Sequence, residues 1–556
     1  MVQSVAKEPK TGYQLDPASV GVTLGAPGMP TPEGWKWVTP EMWKFRWSMA
    51  DKIMVLKPDY YKDRDWYIDA TKGDILAELY ASDPNMNPAD LSAESFIRYL
   101  DNQVITIRPY DYLLGLHCSD QHGVIYDPLV QPWTQFLRAR DLGGKDRICV
   151  WQGDKKVAMD EEKYQRMEKL ATAYNMVYKV KPEFTEEEFN AYYCPTQPGR
   201  YFEPVGTTGM RANPDHDWYL NIGLRKAVEL KQQRLEWFEQ ELKSATGEKA
   251  GELKQKIINS KASIRTSEAV IRWVKRHATE ARKAIPQMPD AKAKAILEQA
   301  AANCEWVAEN APRTFWEAMQ FYWLMFMATY CIETPCNTLT FLPDRVFWKW
   351  YEQDVLKDKT LSRQQAADII ACYASKFHEI GGTSARFGGL EKAGQGTRDW
   401  AVITIGGQLG DGGDAVNDLT MLILDVWDGY RFHYPDIKFR WCTKTKKGDM
   451  RRLVEVMRSG MGTPSIRNDE VALVSMLDHY RDLTLEEARS WGVVGCNTPG
   501  PTINSKGACR RDAFYPQVLK AVEFTLFNGQ DPEAGFEWFK SVETGDPTQF
   551  KDFEEF

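Results

Sequence analysis

From residue 311 onward, helix-favouring stretches alternate with short apolar runs, and this alternation most constrains how the chain can fold. The apolar runs have the length of buried strands, and they span 401–405, 439–441 and 492–495. The predicted helices span 314–330, 363–377, 418–430 and 484–491. Strands that alternate with helices are typical of α/β architectures, in which functional loops follow the strand ends. The sequence therefore predicts an α/β fold for this half of the chain.

Residues 218–302 are highly charged and rich in helix-favouring side chains, with one break at Thr246. Four apolar residues recur there at helical spacing, namely Val270, Ile271, Val274 and Ala278. This pattern predicts two long amphipathic helices joined by a turn. Residues 1–35 are rich in Pro and Gly and are predicted to form an extended arm. Residues 36–556 are predicted to form one large domain that contains the helical segment as an insert.

The composition excludes several classes of function. The chain has 70 Lys and Arg against 78 Asp and Glu, so its net charge is −8. It therefore lacks the surplus of basic residues that is typical of nucleic-acid-binding proteins. No apolar run reaches the roughly 18 residues of a membrane span, and no signal-peptide pattern occurs. The 10 cysteines are scattered without a CxxC pair, which favours reduced thiols in the cytoplasm over a zinc site. Aromatic residues make up 12%, which is typical either of large packed interiors or of an apolar ligand site.

Common catalytic and nucleotide-binding motifs do not occur in the sequence. It contains no HExxH, no GxSxG and no GxGxxG, so the paired glycines after residue 380 are predicted to form tight turns. His117, Cys118, Asp120 and His122 lie close together, but their spacing fits no common metal site. We expect these four residues to have structural roles.

Residues 491–502 form a predicted cysteine loop and read WGVVGCNTPGPT. A β-like run leads to Cys496, and the glycines and prolines around it disfavour helix on both sides. One interpretation places the thiol at the tip of a short loop, where a substrate atom can approach it closely. The other is a buried free cysteine at a strand end, which is common in proteins. These residues alone leave both interpretations open.

Five blocks in the second half of the chain carry a resemblance to a known family. They are the cysteine loop around Cys496 and the segments 311–320, 343–354, 403–417 and 462–469. In this order they resemble motifs of the glycyl radical enzymes, the pyruvate formate-lyase-like superfamily. Examples are its Phe-Trp-Glu-Ala-x-Gln helix and its Gly-Cys-x-x-Pro loop. The resemblance implies an α/β barrel of ten strands in two antiparallel five-stranded halves, wrapped by helices, with Cys496 as the catalytic residue that becomes a thiyl radical.

The residues beside Cys496 imply a branch of this family. Dehydratases and decarboxylases of the family carry Cys-Val-Glu, whereas this chain has Asn497 and Thr498 after the cysteine. Pyruvate formate-lyase has two adjacent cysteines, and Gly495 occupies the second position here. The chain therefore resembles the fumarate-adding branch, the catalytic subunits of benzylsuccinate and alkylsuccinate synthases. In that branch a downstream arginine binds a fumarate carboxylate, and Arg511 matches its position.

This resemblance implies an enzyme that adds a toluene-like hydrocarbon or an alkane to fumarate and forms a substituted succinate, in anaerobic hydrocarbon degradation. Phe387, Leu390 and Tyr201 are the expected substrate-binding residues of the cavity wall. The alternatives are another glycyl radical lyase, such as a diol dehydratase or a decarboxylase, and a non-catalytic truncated barrel.

The resemblance also implies partners. The chain is expected to bind no cofactor or metal and to depend on a glycyl radical made by an S-adenosylmethionine-dependent activating enzyme. The family's Arg-Val-x-Gly-Tyr motif, which carries that glycine, does not occur in these 556 residues. We therefore expect a C-terminally truncated subunit that is inactive alone. Small iron–sulfur accessory subunits and a higher oligomer are further expected partners.

Overall fold

The computed structural model of the protein describes most of the chain from Tyr67 onward. The described residues are 67–120, 123–129, 148–174, 202–205, 211–212, 216–333, 340–377, 402–430, 432, 435–458, 462–481, 483–494, 498–502, 508–509, 513–516, 522, 524–529, 543–552 and 554–555. The predicted arm 1–35 lies outside them. None of the helices in these ranges combines the length and the apolar character needed to cross a membrane.

A small sheet and three helices form the first part of the described structure. The strands are β1 (Tyr67–Asp69), β2 (Gly123–Ile125), β3 (Ile148–Gln152) and β4 (Lys155–Ala158), in the order β2-β1-β3-β4. Strand β1 is parallel to β2 and β3, whereas β3 and β4 form an antiparallel hairpin. The helices are α1 (Thr71–Ser82), α2 (Pro88–Asn102) and α3 (Glu161–Tyr174). Apolar side chains of the sheet and of all three helices share one buried cluster.

The charged segment predicted as two helices forms three. They are α4 (His216–Leu242), α5 (Gly247–Ala284) and α6 (Ala291–Val307). The predicted break at Thr246 is confirmed, and the four apolar residues predicted to face the core of α5 are buried. A second break was not predicted. It lies at a 3-10 turn that contains Pro286, and Asp290 then caps α6 by accepting from the Ala293 amide at 2.8 Å.

The second half has the predicted α/β alternation. Its strands are β7 (Thr340–Phe341), β8 (Val402–Gly406), β9 (Asp436–Trp441) and β10 (Ser465–Asn468), which form a parallel sheet in the order β10-β9-β8-β7. The helices are α7 (Phe315–Phe326), α8 (Pro343–Val346), α9 (Trp348–Tyr351), α10 (Arg363–Lys376), α11 (Asp418–Tyr430), α12 (Lys447–Arg458), α13 (Asp469–His479) and α14 (Leu485–Ala488). Helix α7 continues into a π-helical segment, Met327–Glu333, and a second π-helical segment, Glu352–Lys357, follows α9.

Aromatic side chains fill the main core, which joins the long helices to the parallel sheet. Trp273 and Trp323 are fully buried, and Tyr322 stacks on Phe341 with ring centroids 3.9 Å apart. These aromatic side chains serve packing, one of the two roles that the composition left open.

Gly223 provides a test of how α4 packs against the chain before α7. Its φ is +76°, and a Cβ at this position would lie 2.5 Å from the carbonyl carbon of Asn310. We expect Gly223→Ala to lower the free energy of unfolding by about 2–4 kcal/mol, because it adds both backbone strain and steric overlap. The control is Gly251→Ala in α5, where a Cβ meets nothing within 4 Å and where we expect a gain of up to about 1 kcal/mol. Urea unfolding followed by circular dichroism measures both, and equal effects would contradict the prediction.

Candidate functional site

An antiparallel hairpin flanks the predicted catalytic cysteine. Strands β11 (Trp491–Val494) and β12 (Thr498–Pro501) pair in register, with Val494 opposite Thr498. The three residues that connect them include Cys496 and lie outside the described residues. The strand predicted before the cysteine is therefore confirmed, while the position of the thiol stays a prediction.

The hairpin packs on the parallel sheet through apolar and polar contacts. Trp491 and Val493 are buried in a cluster with Val402 of β8 and with residues of α13 and α14. The Val493 amide donates to Thr404 Oγ1 of β8 at 3.0 Å. Because one end of the loop is fixed to β8 in this way, the chain leaves the sheet at a defined point.

A buried ion pair fixes the start of the hairpin. Arg440 at the end of β9 and Asp469 at the start of α13 are both fully buried, and Arg440 Nε donates to Asp469 Oδ1 at 2.7 Å. The same guanidinium donates to the carbonyls of Arg489 and Trp491, each at 2.9 Å. The Trp491 indole and the Gln408 amide donate to the Asp469 carboxylate at 2.7 and 2.9 Å. Charge-assisted bonds of this kind in a dry interior hold a segment rigidly.

A second acidic and basic pair lies beside the first. Burial raises the pKa of the Asp344 carboxyl, which accepts from the Gly406 amide and from Thr420 Oγ1, both at 2.7 Å. Burial, together with the nearby positive charge of Arg440, lowers the pKa of Arg345 to about 9. Arg345 donates to the Gln408 carbonyl and, at 3.0 Å, to the Arg489 carbonyl. Two arginines from different elements thus meet at one carbonyl, directly before β11.

Two glycines at the end of β8 make this close approach possible. Gly406 and Gly407 have φ values of +72° and +86°, and a Cβ at Gly407 would lie 2.5 Å from Arg440 Nε. The chain then turns tightly, and the Leu409 amide donates to the Gly413 carbonyl at 2.8 Å. The tight turn predicted for these glycines is confirmed.

The structure therefore brings separate motif segments together. Hydrogen bonds beside the hairpin join segments that are up to 125 residues apart in the sequence. These are Asp344 and Arg345, the Gly406-Gly407 turn, and Asp469. Sequence reasoning missed Arg440 as a residue of this site. The sequence signal that could have indicated Arg440 is a charged residue inside the apolar run 439–441. A cation in a buried strand needs a buried partner, so such a residue points to a polar site.

Two further strand pairs include residues that lie close in sequence to the predicted fumarate-binding arginine. Strands β13 (Ala508–Cys509) and β14 (Ala513–Pro516) come before and after Arg511, and they pair antiparallel with β6 (Arg211–Ala212) and β5 (Phe202–Val205). Residues 202–205, which follow Tyr201 in the sequence, therefore run beside residues 513–516.

The five residues proposed from sequence as site residues all lie outside the described residues. They are Cys496, Arg511, Phe387, Leu390 and Tyr201. Their roles stay predictions.

The neighbouring residues His117 and Cys118 are buried. The His117 ring contacts the Gly123 carbonyl at 2.6 Å, which agrees with the structural role predicted for it. Among the described residues, no group of three or more metal-ligating side chains was found.

The described part of the chain is thus an α/β protein in which a parallel sheet alternates with helices and a hairpin, β11-β12, packs on that sheet. Residues 42–556 match the pyruvate formate lyase-like family, and the chain belongs to that family. The structure resembles the B12-independent glycerol dehydratase of Clostridium butyricum (TM-score 0.71, 21% identity, 91% of this chain and 61% of that one). It also resembles a glycyl radical enzyme of Archaeoglobus fulgidus (TM-score 0.70, 22% identity, 88% and 60%). These likenesses confirm the predicted barrel fold.

Curated relatives share more sequence over a shorter stretch. Isethionate sulfite-lyase of Nitratidesulfovibrio vulgaris is 31% identical over 302 residues, which cover 52% of this chain and 34% of the relative. Trans-4-hydroxy-L-proline dehydratase of Clostridioides difficile is 29% identical over 296 residues, which cover 52% and 36%. The chain thus spans about a third of the length of these relatives. Their names match the alternative, another glycyl radical lyase, better than the fumarate-adding branch.

Replacing Arg440 by Met tests whether the ion pair holds the hairpin. We expect the free energy of unfolding to fall by about 3–5 kcal/mol, because Asp469 would remain buried as an uncompensated charge. Arg451→Met on the exposed surface of α12 is the control and should change it by less than about 0.5 kcal/mol. Urea unfolding of both variants measures the difference, and a change in Arg440→Met no larger than in the control would refute the role of the pair.

Proposed function

We propose that the complete protein is a glycyl radical lyase in which Cys496 carries the thiyl radical. The observation that supports this most is the hairpin at the end of the parallel sheet in a member of the pyruvate formate lyase-like family. Only three residues join its two strands, and Cys496 is the middle one. The buried contacts of Arg440 and Asp469 would keep that turn in place during repeated hydrogen transfer.

The proposed activation needs a partner. An S-adenosylmethionine-dependent activating enzyme would generate the glycyl radical of the complete protein, from which Cys496 becomes a thiyl. The thiyl then takes a hydrogen atom from a substrate C–H bond, which forms S–H and a carbon radical. After the reaction, the product radical recovers that hydrogen from Cys496, so the thiyl is regenerated. Such chemistry requires a cavity that excludes water and holds the substrate closely.

Elimination is the first candidate reaction, and the curated relatives support it. Their names describe a sulfite-lyase and dehydratases, which release sulfite or water. In an elimination, the carbon radical weakens the neighbouring carbon–oxygen or carbon–sulfur bond, and the leaving group departs before the hydrogen returns. The proposed substrate class is therefore a small hydroxylated or sulfonated compound.

Fumarate addition is the second candidate, and one sequence observation favours it. Asn497 and Thr498 follow Cys496, so the carboxylate of the Cys-Val-Glu motif is missing at the position where a base would assist loss of a hydroxyl group. Arg511 offers a planar pair of donors that suits a carboxylate. In this reaction the carbon radical of a hydrocarbon adds to the fumarate double bond, and the succinate radical recovers the hydrogen. Small iron–sulfur subunits would be further partners in this case.

Cys496→Ala tests the proposed radical carrier. In the complete gene product, activated under anaerobic conditions, we expect the glycyl radical signal in electron paramagnetic resonance to remain and substrate turnover to be abolished. Cys149→Ala in β3, which belongs to the other sheet, is the matched control and should keep its turnover. Turnover by the Cys496→Ala variant would refute the proposal.

A substrate panel with an arginine variant decides between the two reactions. Elimination predicts conversion of isethionate, glycerol or trans-4-hydroxyproline without fumarate, while fumarate addition predicts that toluene or hexane is consumed only when fumarate is present. If addition is observed, Arg511→Lys should raise the KM for fumarate at least about tenfold, because an ammonium cannot form the bidentate contact. The adjacent Arg510→Lys is the control. Unchanged fumarate kinetics in Arg511→Lys would refute its role, and conversion of the first set alone would reject fumarate addition.

A further inference from the structure

A cavity of about 350 Å³ lies between the long helices, apart from the hairpin and its ion pairs. Helices α2, α4 and α5 and the π-helical segment after α7 form its walls. This volume lies in the range of small-molecule sites.

Most of the cavity wall is apolar. Phe96 of α2, Leu224 of α4 and Val270 of α5 are buried side chains that face it, and Ala328 of the π-helical segment is fully buried there. π-helical turns inside α-helices are frequent at functional sites. A ligand for this cavity therefore needs an apolar body.

Lys231 of α4 places one positive charge at this apolar wall. Its Nζ donates to Ser267 Oγ at 2.7 Å, and among the described residues no carboxylate forms an ion pair with it. Burial lowers the pKa of Lys231, because its charged form loses part of its hydration. An anion beside Nζ would offset that cost.

Three of the hydroxyl groups that line the cavity already donate to backbone carbonyls. Thr266 and Ser267 donate to the Ser263 carbonyl at 3.0 and 2.8 Å, and Thr329 donates to the Met325 carbonyl at 2.7 Å. Their protons are used within their own helices. An ammonium has three donors, and one binds Ser267, so two have no partner among the residues that the structure describes and can bind a ligand.

We propose that this cavity binds a small organic carboxylate with an unbranched or compact apolar body, whose carboxylate pairs with Lys231. The site is separate from the proposed thiyl chemistry and does not depend on it. Charge complementarity selects the anionic head, and the apolar wall selects the body. A strongly hydrated anion such as phosphate lacks the apolar part and would gain little from this wall.

Isothermal titration calorimetry of the chain with octanoate tests the proposal. We expect saturable binding at one site, and we expect Lys231→Met to weaken it at least about tenfold. Octanamide, which has nearly the same shape but no charge, should bind wild type at least about tenfold more weakly than octanoate does. Lys226→Met removes the same charge from the exposed side of the same helix and should leave the affinity unchanged.

A second variant tests the location of the apolar body. Ala262 is buried and lines the cavity, so Ala262→Leu should fill part of it and weaken octanoate binding while circular dichroism shows the helices intact. Equal affinity in wild type and Lys231→Met, equal binding of octanamide, or no saturable binding would each overturn the proposal. Binding that survives in Lys231→Met and is lost in Arg511→Lys would place octanoate in the radical site instead, which also overturns it.

Discussion

The buried ion pair between Arg440 and Asp469 is the contact on which the position of the cysteine hairpin depends. Taking both charges out of water costs several kcal/mol for each ion, and an imperfect pair would weaken the fold. Here the remaining donors and acceptors are used as well, since Arg440 also binds the carbonyls of Arg489 and Trp491. A shift of the hairpin would break these bonds in a medium of low dielectric constant. The pair therefore contributes more to holding the hairpin in one position than to the stability of the fold.

Arg440 also explains why two adjacent glycines stand at the end of β8. Its guanidinium lies where a side chain at Gly407 would project, a Cβ at Gly406 would lie 2.9 Å from its backbone carbonyl oxygen, and both glycines adopt positive φ values. With the cation so close, the backbone amide of Gln408 reaches Asp469 at 2.9 Å. The glycine turn, the strand β9 and the helix α13 are thus one polar unit, although the sequence presents them as separate motifs.

Periodicity and capping made most of the second half predictable. Helix α11 has the predicted bounds, and α10 ends one residue before the predicted end. The start of α10 was predictable because Ser362 forms a capping box with Gln365, and both helices have a regular apolar pattern. Strand β9 begins three residues earlier than predicted, since Asp436 and Lys438 interrupt the apolar pattern while lying in the ladder. The ion pairs were not predictable from local patterns. They join residues that only the tertiary fold brings together, so the sequence could indicate Arg440 as unusual but not name Asp469 as its partner.

The buried contacts and the reaction depend on different residues. Arg440, Asp469, Asp344 and Arg345 bind backbone groups and one another, and through the carbonyls of Arg489 and Trp491 they hold the start of the hairpin in position. The residues that differ between branches of the family, Asn497 and Thr498, come after that fixed point. One scaffold can therefore serve different reactions, and the overall resemblance to dehydratases and sulfite-lyases carries less weight for the substrate than for the fold. Under the proposed function, the choice between elimination and addition depends on whether a base or a carboxylate-binding arginine lies beside the thiyl.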